Sequence, residues 1–436
     1  MLRILFFILT SLTFTTSAHA VVDIQVIETP KGINAWLVED HSFPFVALEI
    51  YFPNGSSSES AAQSGATYLM TSLLDEGAGD LDAVDFQIAV RNIGARFAFQ
   101  TYKQAINVSA KMVTENRDES VELLKLVLSQ PRFEQDDFER VKNQLLTDLK
   151  FYSTDQDEIG VEAFHGLLFG EHPFHRRREG SLETVETLTR DDIIATHARA
   201  LTKQDVVVGV SGDITKEELV LLLDNLFNDL PDQSPVNILP VEIARDKVVE
   251  IVDFPNPQSL ILFGHEGLGR KDQDFLAAYV LNQVFGQSGF NSRLLNKLRV
   301  ELGLTYGVGS YLSSYQDTGL ITGSMQTANE TVAQAIETIR DEWSRIANEG
   351  ITQEELDTIK RYLTGAYPLR FDTNESIAAI LVSMLWEDMP PDYVKERNGL
   401  VDSIDLETIN RVARELFHPD QLTFVVVGQP PEPELL

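Results

Sequence analysis

Two side chains that can each donate a hydrogen bond to a carbonyl oxygen stand seven residues apart in the second half of the chain. Arg299 carries a permanently charged, forked guanidinium, and Tyr306 carries a phenol. Such a pair can hold the carbonyl of a bound peptide. Taken alone, the two residues fit a surface arginine and a tyrosine at the edge of a core better than they fit a site, by the ordinary burial of these residue types.

The residues around this pair predict how it is positioned. Apolar residues at 294, 295, 298 and 302 fall on one stripe, which predicts an amphipathic helix over residues 293–302. Gly303 is placed to end that helix, and residues 305–310 have the pattern of a strand. A helix that enters a strand through one glycine turn would hold Arg299 and Tyr306 in a fixed relation.

The first twenty residues have the pattern of a secretory signal peptide. Arg3 gives a positive start, residues 4–15 are an apolar run, and Ala18-His19-Ala20 is a cleavage site of the small-x-small type. We expect cleavage after Ala20 and export, with the periplasm as the compartment. The apolar run is short for a transmembrane helix, so we expect no membrane insertion after the signal is removed.

Composition excludes several classes of site and partner. The chain has no cysteine, which excludes disulfides, thiolate metal sites and cysteine nucleophiles. Its formal net charge is −32, from 67 acidic and 35 basic residues, so nucleic acid and anionic membrane surfaces would repel it. The same charge is compatible with a cationic peptide ligand, although acidity that only keeps an exported protein soluble is the more common explanation.

The pattern of strands and helices occurs twice along the chain. In the first half, strands are predicted at 22–27, 34–39, 45–52, 96–100, 105–111 and 205–211, and helices at 65–74, 83–92, 118–129, 135–151, 160–169, 190–200 and 216–227. In the second half, strands are predicted at 249–254, 259–264, 305–310, 319–326 and 421–427, and helices at 272–285, 293–302, 331–348, 352–367, 375–386 and 405–416.

Two local matches indicate an internal duplication. Residues 133–142 resemble residues 351–360 at a spacing of 218, and residues 206–212 resemble residues 422–428 at a spacing of 216. Two separate segments that agree on nearly one spacing are hard to obtain by chance. We therefore predict two α+β domains, at 21–230 and 247–436, joined by a proline-containing linker at 231–246 and preceded by the signal peptide at 1–20.

This order of elements resembles the pitrilysin/insulinase family of zinc peptidases, the inverzincins, which include the mitochondrial processing peptidases. The most specific part is the stretch from Gly289-Phe290-Asn291-Ser292-Arg293-Leu294 to Val308, which is similar to the signature of the family's C-terminal half. The resemblance implies an α+β fold of two tandem, homologous α/β-sandwich halves that form a clamshell. It also implies that Arg299 and Tyr306 contact bound substrate.

The metal motif of the family is altered in this chain. The family carries His-x-x-Glu-His on the helix after the first long strand, with a carboxylate from a later helix as third ligand. Tyr68 and Ser72 stand at the two histidine positions, Thr71 stands at the glutamate position, and Asp148 stands at the third ligand position. Neutral hydroxyls are poor zinc ligands, so we expect no metal, no cofactor and no catalytic residue of a peptidase on this chain.

Two other patterns could carry chemistry. His265-Glu266 begins a His-Glu-x-x-His motif that fails, because Gly269 stands at the second histidine position. His165, His172 and His175 lie close together in sequence and would form a metal site if they converged, although a loop with solvated histidines is the more common structure.

Three functions remain open at this point. The resemblance favours a non-catalytic, substrate-binding subunit of an exported two-chain zinc metallopeptidase, in which a homologous partner with the intact His-x-x-Glu-His motif supplies zinc. An unfolded or cationic peptide would be the substrate, and an exposed edge strand at 96–100 would pair with it. The first alternative is a stand-alone peptide-binding or assembly-scaffold protein with no proteolytic partner. The second is an enzyme whose metal site has moved to His165, His172 and His175.

Overall fold

The computed structural model describes residues 22–232, 241–245, 248–288, 292–315 and 318–431. The predicted signal peptide, most of the predicted linker, and Gly289, Phe290 and Asn291 of the family stretch lie outside these ranges. No helix within them is long and apolar enough to cross a membrane.

The first half is built around a six-stranded sheet. Its strands, in chain order, are β1 (Gln25–Glu28), β2 (Asn34–Glu39), β3 (Phe45–Pro53), β6 (Arg96–Thr101), β7 (Ala105–Val113) and β8 (Val207–Gly212), with the short hairpin of β4 (Gly77–Ala78) and β5 (Leu81–Asp82) beside it. The order across the sheet is β1-β2-β8-β3-β7-β6. Strand β8 is parallel to β2, and the other pairs are antiparallel.

The second half is built around a five-stranded sheet. Its strands are β9 (Val249–Asp253), β10 (Gln258–Glu266), β11 (Val308–Tyr315), β12 (Thr318–Ala328) and β13 (Thr423–Gly428). The order is β9-β13-β10-β12-β11, and only the pair of β9 and β13 is parallel. This repeats the order β2-β8-β3-β7-β6 strand for strand, so the predicted duplication into two homologous halves is confirmed.

Helices cover both faces of each sheet. In the first half they are α1 (Ala66–Thr71), α2 (Ala83–Asn92), α3 (Arg117–Ser129), α4 (Gln135–Tyr152), α5 (Gln156–Phe169), α6 (Leu182–Thr187), α7 (Arg190–Ala200) and α8 (Lys216–Leu226). In the second half they are α9 (Phe275–Asn282), α10 (Arg293–Leu295), α11 (Val332–Glu349), α12 (Gln353–Ala366), α13 (Asn374–Trp386), α14 (Tyr393–Ser403) and α15 (Leu406–Leu416). Each half has its own large apolar core, as a chain of this length requires.

The two halves exchange one helix each, which joins the two sides of the clamshell. Helix α5 of the first half packs on β10 and β13, where the Gln156 amide donates to the backbone oxygens of Gln258 (2.8 Å) and Val427 (2.7 Å). Helix α13 of the second half packs on β2, β3 and β8 through side chains that include Leu381. The Ser211 hydroxyl donates to the Asn374 side chain (3.0 Å) at the start of this contact.

Several predicted boundaries are wrong, and local hydrogen bonds explain the differences. The helix predicted at 160–169 is α5, which starts at Gln156 because the Asp155 side chain accepts from the backbone amides of Asp157 and Glu158 in the first turn. The helix predicted at 65–74 is the shorter α1, since turns follow Thr71. The helices α6 and α14 were not predicted, because α6 has only six residues and α14 is mostly polar.

The stretch that carries Arg299 and Tyr306 also differs from its prediction. The helix predicted at 293–302 is α10 followed by a π-helical segment, Asn296–Glu301, and the strand predicted at 305–310 is β11, which begins only at Val308. Gly303 does end the helical stretch with a φ of +64°, the left-handed geometry that glycine adopts without a steric penalty. A loop rather than one tight turn therefore connects the two elements.

Candidate functional site

Helix α1 carries the three positions that correspond to the family's metal motif, and a buried carboxylate anchors its start. Glu59 is 5% exposed and accepts hydrogen bonds from the backbone amides of Gly65 (3.0 Å) and Thr67. These bonds satisfy amides that have no partner inside the helix. Burial raises the pKa of the Glu59 carboxyl, and the bonds from Thr67 and Gly65 oppose that shift.

The hydroxyls on α1 are engaged in local hydrogen bonds. Thr71 is 3% exposed, and its hydroxyl bonds to the backbone oxygen of Tyr68 (3.0 Å) and to the hydroxyl of Thr101 on β6 (2.8 Å). The Ser72 hydroxyl donates to the same Tyr68 oxygen (2.9 Å). A zinc ligand must direct a lone pair into an open site. Both hydroxyls instead bond to the end of α1, and the Thr71 hydroxyl also joins α1 to β6.

The structure brings Asp148 near Tyr68, as the alignment with the family motif requires. Burial raises the pKa of the Tyr68 phenol, and the negative charges of Glu179 and Asp148 raise it further. Asp148 lies on α4 and accepts a hydrogen bond from Gln144 at 3.0 Å. The family's metal position therefore holds a phenol, with the carboxylates of Glu179 and Asp148 close enough for their charges to act on it. A phenol is a poor ligand for zinc.

The relocated metal site at three histidines is not assembled. His165 lies edge-on to Phe169, with ring centroids 5.5 Å apart, and burial lowers its pKa to about 4. The Nδ1 atom of His172 accepts from the Phe174 amide at 3.2 Å, and the Nδ1 atom of His175 lies 2.9 Å from the His172 backbone oxygen. Throughout the described ranges, no group of three or more His, Asp or Glu side chains is arranged to hold a metal ion.

Arg299 and Tyr306 differ in their surroundings. Arg299 lies on the π-helical segment and is half-buried, whereas Tyr306 lies in the loop before β11 and is 87% exposed. The expectation of a tyrosine at the edge of a core is therefore wrong. The loop itself is held by backbone hydrogen bonds from Gly303 to Arg299 (3.2 Å) and from Leu304 to Leu298 (2.8 Å). Tyr306 thus presents an exposed phenol in the loop that follows the arginine's π-helical segment.

Strand β6 is an edge strand, as predicted for the peptide-pairing position. It pairs with β7, and within the described part of the sheet no strand lies on its other side. Residues 96, 98 and 100 are exposed, while residue 101 is buried against α1. An edge strand with free backbone groups next to the metal-motif helix can accept an extended peptide as an additional strand.

The failed His-Glu-x-x-His motif belongs to the core of the second half. His265 is fully buried, and its Nε2 atom accepts from the indole of Trp343 (3.0 Å) and from the His418 amide (3.2 Å). Its Nδ1 atom lies 2.6 Å from the backbone oxygen of Glu266, to which it donates. The ring is thus held neutral, and burial lowers its pKa to about 4.

We expect His265 to make the protein sensitive to acid. The unfolded chain binds a proton at this residue below about pH 6.5, whereas the folded chain binds it only near pH 4. Stability from the neutral ring is complete above pH 6.5 and falls by up to about 3 kcal/mol between pH 6.5 and 4. Urea unfolding at pH 7.5 and 4.5 measures this loss, and His265→Gln, which keeps an acceptor for Trp343, reduces it.

The control for this experiment is His175→Gln, because the His175 ring is only half-buried. This variant loses as much stability on acidification as the unchanged protein. If His265→Gln also loses as much, the acid sensitivity does not come from His265.

Comparison with known proteins agrees with this geometry. Residues 35–180 match the family described as "Insulinase (Peptidase family M16)", and residues 187–363 match "Peptidase M16 inactive domain". A relative from Helicobacter pylori, called "Non-peptidase homolog YmxG", is 26% identical over 89% of this chain and 90% of its own length. The "Mitochondrial-processing peptidase subunit beta" of Caenorhabditis elegans is 23% identical over 93% of this chain and 89% of its own length.

A solved structure, a "peptidase M16 inactive domain" from Pseudomonas fluorescens, has the same fold. Its TM-score is 0.88 at 25% sequence identity, over 93% of this chain and 98% of that one. The chain therefore belongs to the insulinase family of peptidases, family M16, and it does so without the family's His-x-x-Glu-His motif.

Proposed function

We propose that this protein is the non-catalytic, substrate-binding subunit of an exported two-chain zinc metallopeptidase. The observation that carries the proposal is the contrast between the two halves. At two of the metal-motif positions, the hydroxyls of Thr71 and Ser72 bond to a backbone oxygen of α1, and that of Thr71 also bonds to β6. Tyr306, in the loop after the segment that holds Arg299, is exposed. This contrast supports a chain that lacks the metal-binding part of the site and keeps an exposed phenol for substrate.

The relatives support a divided activity. The Caenorhabditis elegans relative is by its name one subunit of a processing peptidase, and the Helicobacter pylori relative is named a non-peptidase homologue. In our proposal the partner is a homologous chain with the intact His-x-x-Glu-His motif. When bound there, zinc polarises the scissile carbonyl and activates water. In this division of labour, the partner supplies both the metal and the general base.

The contribution of this chain would be to bind and orient the peptide. Arg299 and Tyr306 each donate a hydrogen bond to a carbonyl near the scissile bond, where negative charge develops during hydrolysis. An extended segment of the substrate adds to the free edge of β6. The net charge of −32 attracts cationic, unfolded peptides over distances of about one Debye length, so binding weakens as salt is added.

The test is co-expression with an exported homologue that carries the intact motif. We expect the two chains to co-purify from the periplasm, with zinc bound to the complex and peptide cleavage that a chelator abolishes. This chain purified alone binds no stoichiometric zinc and cleaves nothing. Full activity of the motif-bearing homologue without this chain, together with no complex between them, would refute the proposal. Tight peptide binding by this chain under those conditions would support a stand-alone peptide-binding protein instead.

A further inference from the structure

A cavity of about 480 Å³ lies in the second half, and none of its described lining residues belongs to α1 or to the loop of Tyr306. Its walls come from α9, β11, α13 and α14 and from the turn after α12. This volume falls in the range of small-molecule sites. Helix α13 forms one wall with residues that include Ser383 and Glu387, while its Leu381 packs on the sheet of the first half.

Positively charged side chains line the cavity, although the protein as a whole is strongly acidic. Arg270, Arg370 and Arg397 line it, and Glu387 is the one carboxylate among its described lining residues. All three arginines act on the Tyr367 phenol, whose pKa burial raises and their charges lower. Burial also raises the pKa of the Glu387 carboxyl, with Arg270 opposing that shift. The charge of the lining is thus opposite in sign to the charge of the chain.

These arginines have no carboxylate partner in the part of the chain that the structure describes, since none of them lies within 4.0 Å of one. Arg397 is 5% exposed; it donates to the backbone oxygen of Leu363 (3.0 Å) and to the Asn398 side chain (3.2 Å), both neutral groups. Its guanidinium lies 4.5 Å from the centre of the Tyr367 ring. A buried charge without an opposite charge is costly unless something else compensates it.

The first half contains a similar arginine that carboxylates neutralise. Arg177 also stacks on a tyrosine, Tyr152, at 5.5 Å from the ring centre. There, Glu158 and Glu162 both form ion pairs with the guanidinium. Among the described residues, no carboxylate forms a corresponding ion pair with Arg397, so an anionic ligand would compensate its charge.

The remaining lining fits the body of an organic ligand. Leu276, Leu312, Ile380 and Met384 form apolar walls beside the arginines. The Ser314 hydroxyl accepts from the Arg270 amide (2.8 Å), so its own proton is available to an acceptor in the cavity. We propose that this cavity binds an organic carboxylate with an apolar body, its head group on Arg270, Arg370 and Arg397. This proposal is independent of the peptidase role.

Isothermal titration of the full mature chain with decanoate tests the site. We expect decanoate to bind with a Kd in the micromolar range, and decanol and decyltrimethylammonium, which have the same chain without the negative charge, to bind at least about tenfold more weakly. An N-acetylated leucyl-phenylalanine with a free carboxylate, compared with its amide, distinguishes a peptide terminus from a fatty acid as the source of the carboxylate.

The combined variant Arg270→Gln and Arg370→Gln removes two of the charges and leaves buried Arg397 in place. We expect it to weaken decanoate binding at least about tenfold. The matched control is Arg361→Gln, an exposed arginine on α12 outside the cavity, which leaves binding unchanged. Equal binding of decanol and decanoate, unchanged binding by the double variant, or no binding of either carboxylate at about 1 mM overturns the proposal.

Discussion

Arg299→Ala lowers the kcat/KM of the two-chain peptidase about 100-fold, and Tyr306→Phe lowers it about tenfold or more. Removing one preorganised donor to a developing oxyanion costs roughly 10²–10³ in rate, and the loss falls on kcat when the bond forms mainly in the transition state. Tyr306 is 87% exposed, so the change to phenylalanine removes a donor and almost no packing. Steady-state kinetics on a peptide with one cleavage site measure both parameters.

The control separates a role at the substrate from a general effect of removing a phenol. Tyr362→Phe makes the same chemical change on α12, at a tyrosine that is 59% exposed. We expect its kcat/KM to equal that of the unchanged complex. The double variant of Arg299 and Tyr306 loses less than the product of the two single effects, because both donors act on one oxyanion. Unchanged kinetics in both single variants would remove these residues from the site.

The duplication was predictable because two pairs of short segments have similar residues at nearly the same spacing. Residues 133–142 and 351–360 belong to the starts of α4 and α12, and the structure places both at the same point of the repeated fold. The sheet order was not predictable in the same way. Strand β8 lies between β2 and β3, far from either in sequence, and its period of apolar residues says only that it is buried.

The exchanged helices show the same limit. Ile377, Leu381 and Met384 give α13 an apolar face, but periodicity does not indicate which element that face packs against. Its partner is a sheet formed by residues more than 150 positions earlier in the chain. For this reason the sequence predicted two homologous halves but not the way in which each half covers the sheet of the other.

The candidate site was predictable in its residue types and not in its contacts. The residue types at the three motif positions, Tyr68, Thr71 and Ser72, showed that the metal motif is altered. The bond between Thr71 and Thr101 depends on the approach of α1 to β6, which no local pattern reports. The exposure of Tyr306 follows from the π-helical segment and the loop after it. Likewise, no sequence pattern indicates that Arg270 and Arg397 line the same cavity.

The helix exchange predicts that Gly209→Ala destabilises the protein by about 3 kcal/mol. Gly209 lies in β8, directly beneath α13. A Cβ atom at this position would lie 2.2 Å from the backbone oxygen of Ala378 and 2.6 Å from the backbone nitrogen of Val382. Backbone atoms of a packed helix cannot move aside individually, so α13 as a whole has to shift from the sheet.

Two glycines in α5, the helix that the first half contributes to the exchange, provide comparison variants for Gly209→Ala. At Gly160 a Cβ atom would meet the ends of the Leu260 and Leu262 side chains at 2.8 and 3.1 Å, which can rotate away, so Gly160→Ala costs less than Gly209→Ala. At Gly166 nothing lies within 4 Å, and Gly166→Ala stabilises the helix by up to about 1 kcal/mol. Urea unfolding followed by circular dichroism ranks the three variants. If Gly209→Ala and Gly166→Ala have the same urea midpoint of unfolding, α13 does not pack tightly against β8.

Because each half covers the other's sheet, we further expect Gly209→Ala to shift one common unfolding transition of both halves rather than a transition of the first half alone.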